Sequence, residues 1–262
     1  MNRAERRRQS REDRERIARG LEAGRADGRE VISLMRVLHE LIAEAQAAGT
    51  VAPVMTFLHA NMRAAERLAP NNLLACRRGC AHCCHTFVSA RAPEVLFVKN
   101  AIPGRDREAV RGAVEGAYAV TGMLGPGGRG AMAHPCPMLR DGACQVYQAR
   151  PMTCRMAVSQ SAEMCARAFA PGAGPEHIPV PEYYPTLRRG YSIALAGALR
   201  RAGFPAWSYE YNAAMRMVLA RPDAEAAWLA GEDVFADVPR DPGSDPFTLP
   251  SNLRLYDDAF AD

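Results

Sequence analysis

From position 31 onward the chain alternates between apolar residues at helical spacing and short breaks rich in glycine and proline. Val31, Leu34, Met35, Leu38, Leu41, Ile42 and Ala45 recur every three or four residues, which predicts a core helix over 31–48. Gly49 ends it. Pro53 suits the first turn of a second helix, with Val54, Phe57, Leu58, Met62 and Leu68 inward until Pro70 stops it, so the two form an αα-hairpin. Further helices are expected from Pro93 and over 106–124, where Val110, Val114, Ala117 and Tyr118 share a face. Leu187, Tyr191, Leu195 and Leu199 predict another before Gly203, and the pattern continues over 206–220 and 223–230. Between these helices, Gly125 to Gly130 reads as a flexible break and Thr86 to Ser89 as a short extended piece. Residues 135–147 read as two short strands around the Asp141-Gly142 turn, a hairpin that brings Cys136 and Cys144 near one another. Pro151 is placed to open a helix with Cys154 one turn into it.

The fold class that follows is mainly α: a helical domain over 31–237, with a central cysteine-rich metal-binding segment, 76–165, that contains a short β-hairpin. Residues 1–30 are expected to be a charged, partly disordered arm, and 238–262, rich in Pro, Asp and Ser, a tail. No internal repeat is visible. Hydrophobic residues make up 48% of the 262, enough for a core that does not depend on metal alone. The arm holds ten arginines and seven acids, so it carries three of the four net positive charges and leaves the rest nearly neutral. It has no aromatic residue, which argues for a solvated helix and against a nucleic-acid partner. The arm offers no apolar signal core and no later stretch approaches a membrane span, so the expected location is cytoplasmic, with no membrane partner.

All eight cysteines lie between Cys76 and Cys165, with none in the 75 residues before or the 97 after. Thiols in a reducing compartment stay reduced, and a cysteine cluster there points to metal rather than to disulfides. The first block, Cys76, Cys80, Cys83 and Cys84, is a C-x3-C-x2-C-C run, and the second supplies Cys136, Cys144, Cys154 and Cys165. Eight thiols suffice for two four-sulfur sites. Structural zinc usually draws on paired C-x2-C knuckles, and only Cys80 and Cys83 form such a pair. The second block's gaps of seven, nine and ten residues suit ligands from separate elements wrapped around a bulkier cluster, which tilts the balance between zinc and iron toward iron-sulfur.

With the Cys76–Cys84 block, Cys136-Pro137, Cys144-Gln145-Val146-Tyr147 and Arg150-Pro151-Met152-Thr153-Cys154, the chain resembles the YkgJ-type cysteine-cluster family, the CxxCxxCC zinc- or iron-chelating proteins. The first gap departs from that pattern in having three residues rather than two. The resemblance implies a metal site and no defined activity, although flagellin lysine methylases look similar in this region. Cys76, Cys80 and Cys83 also reproduce the C-x3-C-x2-C spacing of radical S-adenosylmethionine enzymes, but the strand-helix series which that fold needs does not follow.

Around the thiols, Arg150 and Arg155 are the candidate cofactor-binding residues, since guanidinium groups beside Cys154 could offset thiolate charge. His82, His85 and His134 border the cysteines as alternative ligands. Tyr147 reads as a core residue and Glu94 as a first-turn helix acid. No catalytic residue stands out. The expected function is metal binding, of zinc or of iron as an iron-sulfur cluster, through the eight cysteines. The alternative is an iron-sulfur enzyme of redox or protein-modifying, methylase-like type. Beyond the metal ion, a protein partner stays open.

Overall fold

The computed structural model describes residues 3–22, 28–68, 73–77, 79–173 and 177–261. Its helices are α1 (Arg3–Glu22), α2 (Gly28–Ala48), α3 (Ala52–Leu68), α4 (Ala92–Ala101), α5 (Arg107–Thr121), α6 (Pro126–Met132), α7 (Met152–Arg155), α8 (Ala162–Ala168), α9 (Tyr183–Arg201), α10 (Tyr211–Ala220), α11 (Ala224–Leu229) and α12 (Pro250–Phe260). Among the described residues the only strands are two antiparallel pairs. β1 (Ser89–Ala90) pairs with β4 (Tyr209–Glu210), and β2 (Leu139–Arg140) with β3 (Ala143–Cys144). The mainly helical class read from the sequence is what the chain adopts.

The core is built around α2. Its predicted apolar stripe is buried, and Ser33 and Val37 are buried with it, because α1, α3, α9 and α12 all pack against this helix. Against α2 lies α9, whose buried residues include Ala194, Ala196, Gly197 and Ala198. Small residues let the two backbones approach closely: a Cβ added at Gly197 would fall within the thioether of Met35, which is fully buried. A second layer forms where α10 packs on α4 and α5 beside the β1–β4 pair.

Four expectations need correction. Within the arm, Arg3–Glu22 is a helix packed on α2, with Ile17 and Asp13 buried. Ser33 donates to Asp13 at 2.8 Å and Ser10 to Glu40 at 2.6 Å. Polar contacts of this kind leave no hydrophobic period in the sequence. The supposed tail carries α12, which also packs on α2; the Arg36 guanidinium donates to the carbonyls of Ala259 at 2.7 Å and Asp258 at 3.1 Å. The glycine-rich break is helical as α6, held by the buried Arg129 side chain donating to the His134 carbonyl at 2.7 Å. Leu68, expected inward, is 49% exposed at the end of α3, and the helix stop expected at Pro70 lies outside the described residues.

The α2–α9 contact generates a stability test. Gly197→Val should destabilise the protein by about 2 kcal/mol or more, since overpacking a filled core costs roughly 1–3 kcal/mol and Met35 has no solvent to retreat into. Urea unfolding checks this, and an unchanged midpoint would contradict the close approach.

Candidate metal centre

Each cysteine is set by a local device. Gly79, at φ 86°, reverses the chain in the left-handed region that glycine adopts freely, and a 3-10 turn over His82–His85 follows. That turn presents Cys83 and Cys84, with the Cys84 N–H on the Ala81 carbonyl at 3.0 Å. The Cys136 N–H donates to the Cys84 carbonyl at 2.7 Å, which joins the two cysteine blocks through the backbone. The β2–β3 hairpin then turns at Asp141 and Gly142, both at positive φ (51° and 72°), the type I′ geometry expected of Asp-Gly. Cys144 pairs with Leu139 in this hairpin, and the Leu139 N–H bonds the Cys136 carbonyl at 2.9 Å, so both cysteines are fixed to it.

Cys154 sits on α7. The buried carboxylate of Glu94 caps this one-turn helix, accepting from the Met152 N–H at 2.7 Å with Oε1 while Oε2 accepts from the Arg91 N–H at 2.9 Å. Thr153 ties the same turn to β1 through the Ser89 carbonyl, at 3.1 Å. Cys165 is buried on α8, which Ser161 caps by accepting from the Met164 N–H at 3.1 Å. The Cys76 sulfur accepts from the Ser159 N–H at 3.3 Å, just ahead of α8.

These devices arrange the thiols around two cavities. The first, of about 410 Å³, has Cys80, Cys83, Cys84, Cys136, Cys144 and Cys154 in its wall, and among the described residues no histidine or carboxylate lines it. The second, of about 650 Å³, is bordered by Cys76, Cys80, Cys83 and Cys165. Cys80 and Cys83 therefore form the partition between the two. All eight thiols are free. Among the described residues, no three His, Cys, Asp or Glu side chains stand as a formed ion site; the sulfurs line walls rather than meet at a point. Chemically the donor set of the first cavity is all sulfur, which fits thiophilic zinc or iron and not magnesium or calcium.

Burial raises the thiols of Cys76, Cys136, Cys144 and Cys154, Cys136 to about 12. Cys83 departs from them: a hydrogen bond from Cys84 lowers it to about 7, with the Arg150 charge assisting, while the same bond and burial hold the Cys84 proton in place. Cys83 is thus easier to ionise than Cys84, Cys136, Cys144 and Cys154 around it. Metal entry must displace the remaining protons, so uptake is favoured as pH rises.

The two candidate arginines part company. Arg150 lines the first cavity, its charge acts on Cys83, Cys144 and Cys154, and its guanidinium stacks 3.9 Å from the centroid of the Tyr147 ring. Arg155, expected beside the thiolates, is buried and turned away. It pairs with Glu66 at 3.1 and 3.2 Å and donates to the Gln148 carbonyl at 3.1 Å, so its charge is already compensated by a carboxylate. Tyr147, expected in the core, is 49% exposed on the rim. Of the histidines, His82 lines the second cavity, whereas His85 and His134 place Nδ1 on carbonyls of their own loops.

Sequence reading missed two residues here. Tyr211, at the start of α10, lines the first cavity with its phenol pK raised by burial and by Cys136, Cys154 and Cys144. It resembles any other core aromatic in the helical pattern. His59, on α3, is buried with Nδ1 on the Gln148 carbonyl at 3.1 Å and Nε2 without a partner. Nothing in its sequence context signals this.

Residues 75–168 match the model of the CxxCxxCC family, described as a "Putative zinc- or iron-chelating domain". The cysteine-rich segment is thus similar to the cysteine-cluster family that its motifs resemble, and zinc or iron is the metal that family's description names. No curated protein and no solved structure matches the chain.

His59 yields a pH prediction. Burial, with the Arg155 charge, lowers its pKa from 6.5 to about 4, so the folded state holds the neutral ring while the unfolded chain takes up a proton. The stability tied to this ring is present above pH 6.5 and is lost as pH falls toward 4. His59→Gln should flatten that part of the profile of unfolding free energy against pH, and an unaltered slope would contradict the burial of a neutral ring.

Proposed function

We propose that the protein binds metal through its eight cysteines at two neighbouring thiolate centres, with iron-sulfur the favoured occupant of the first. The observation that carries this reading is the partition at Cys80 and Cys83. Cys84, Cys136, Cys144 and Cys154 border the first cavity alone, while Cys76 and Cys165 border only the second. The first set has four sulfurs of its own, and Cys80 and Cys83 complete the second to four, with Cys83 charge-coupled to both sides: to Cys76 on one, and to Cys84, Cys136, Cys144 and Cys154 on the other. The first cavity, of about 410 Å³, leaves room for a cluster among its cysteines. Arg150 is the residue placed to balance the thiolate charge, in the role first expected of Arg155 as well.

An enzymatic role of redox or protein-modifying type is the second reading, supported by the room beside the thiols in both cavities. A closed four-sulfur shell at each centre favours the binding role, and an open coordination position favours chemistry.

Anaerobic purification followed by elemental analysis and absorption spectroscopy tests the assignment. Iron with matching acid-labile sulfide and broad visible absorbance is expected. Cys154→Ser should lose the first centre's metal and retain the second's, and Cys165→Ser the reverse. If either substitution released all metal, or neither released any, the two-centre arrangement would be wrong. Arg150→Gln should shift metal uptake to higher pH, because losing a nearby positive charge makes Cys83 harder to ionise, whereas Arg107→Gln, at an exposed position of α5, should leave it unchanged. Superimposable uptake curves for all three proteins would remove Arg150 from the site.

A further inference from the structure

The second cavity is much larger than its thiols require. Its volume of about 650 Å³ falls within the roughly 300–1,000 Å³ of small-molecule pockets. It lies between α8, α9 and the chain leading into α12, and its far wall is apolar: Phe169, Ile178, Val180, Ile193 and Leu249. On one side stand two successive arginines of α9, Arg188 and Arg189. Neither makes a hydrogen bond or an ion pair among the described residues, in contrast to Arg155 and Arg221, whose guanidinium groups are held by carboxylates. The one carboxylate on the wall, Asp245, is already engaged with the Phe247 N–H at 2.9 Å. Ser192, Thr248 and Asn252 add neutral polar groups to the wall.

We propose that this cavity binds an organic anion: a small molecule with an apolar or aromatic body seated against Phe169, Ile193 and Leu249, and a carboxylate or phosphate held by Arg188 and Arg189. Guanidinium forks match such oxyanions, and the two arginines outnumber the single acid on the wall. The apolar wall supplies most of the contact area and the arginines fix orientation, the division of labour usual in ligand pockets. Cys76 and Cys165 border the same space, so the bound molecule would lie beside the second set of thiols. The inference stands apart from the metal assignment, because neither arginine nor the apolar wall contributes a thiol.

The test uses the full-length protein as purified, with 8-anilinonaphthalene-1-sulfonate as the fluorescent probe. One saturable site is expected. 4-Phenylbutyrate or phenyl phosphate should displace the probe, and whichever competes better identifies the headgroup; 4-phenylbutanol and inorganic phosphate, each lacking one half of the recognised chemistry, should not. The double substitution Arg188→Gln with Arg189→Gln should weaken probe binding about tenfold or more, while Arg107→Gln leaves it unchanged. Both arginines are exposed, so the double variant should melt with the parent protein. Ser192→Trp, which projects a large side chain into the space, should abolish binding independently of charge. Equal affinity in the parent and the double variant, or displacement by phenylbutanol as strong as by phenylbutyrate, would overturn the proposal. Metal content measured on the same samples keeps the outcome separate, since probe binding that survives metal loss supports this site whatever the thiols hold.

Discussion

Two buried charged residues at the start of α4, Arg91 and Glu94, hold the elements around the cysteines together through hydrogen bonds to backbone groups. Each is 3% exposed, and burial pushes each toward its neutral form, Arg91 downward and Glu94 upward. The pair tolerates this because it reaches in several directions. Glu94 takes the first N–H of α7 and, with it, the helix that carries Cys154. Arg91 donates to the carbonyl of Ala206 at 2.8 Å and of Ser244 at 3.2 Å, reaching the loops before β4 and before α12. Removing either side chain leaves the buried backbone groups it holds without a partner, a cost of about 1–3 kcal/mol each. The pair's value here is positional: one hub sets a cysteine and the C-terminal edge of the second cavity in a common frame.

That frame explains how short local elements can place eight thiols. Around the cysteines themselves the chain has two short 3-10 turns, one four-residue hairpin ladder and the short helices α7 and α8, none of which would persist alone. Each is anchored to a neighbour: Cys136 to Cys84 by the backbone, α7 to Glu94, and Cys76 to Ser159. The helices around α2 and α9 form a core that needs no metal. Binding energy at the thiols is therefore available to order the cysteine loops rather than to fold the whole chain.

Much of this was legible in the residues. The apolar periods of α2, α3, α5 and α9 reported real helices because each buries a continuous stripe, and Asp141-Gly142 reported its turn because few dipeptides accept positive φ at both positions. The cysteine motifs carried the resemblance that the family model also finds over 75–168. Elements held by polar contacts were hidden. α1 leans on Asp13 and Ser33, α6 on Arg129, and α12 on Arg36 bonding to backbone carbonyls, all of which look like ordinary surface residues in the sequence. Chain proximity also misled: Arg155 follows Cys154 directly, yet helical geometry turns it toward Glu66, while Arg150, four residues before that cysteine, faces the thiols. Tyr211 was out of reach because the β1–β4 pairing, not its neighbours in the chain, brings it to the cavity.

X-ray absorption at the metal edge of the anaerobically purified protein tests the central claim most directly, because it reads the atoms bound to the metal. The six cysteines in the wall of the first cavity predict a first shell of sulfur at ~2.3 Å, with metal–metal scattering if a cluster is present. A shell dominated by nitrogen or oxygen would contradict it, since no imidazole or carboxylate among the described residues lines that cavity.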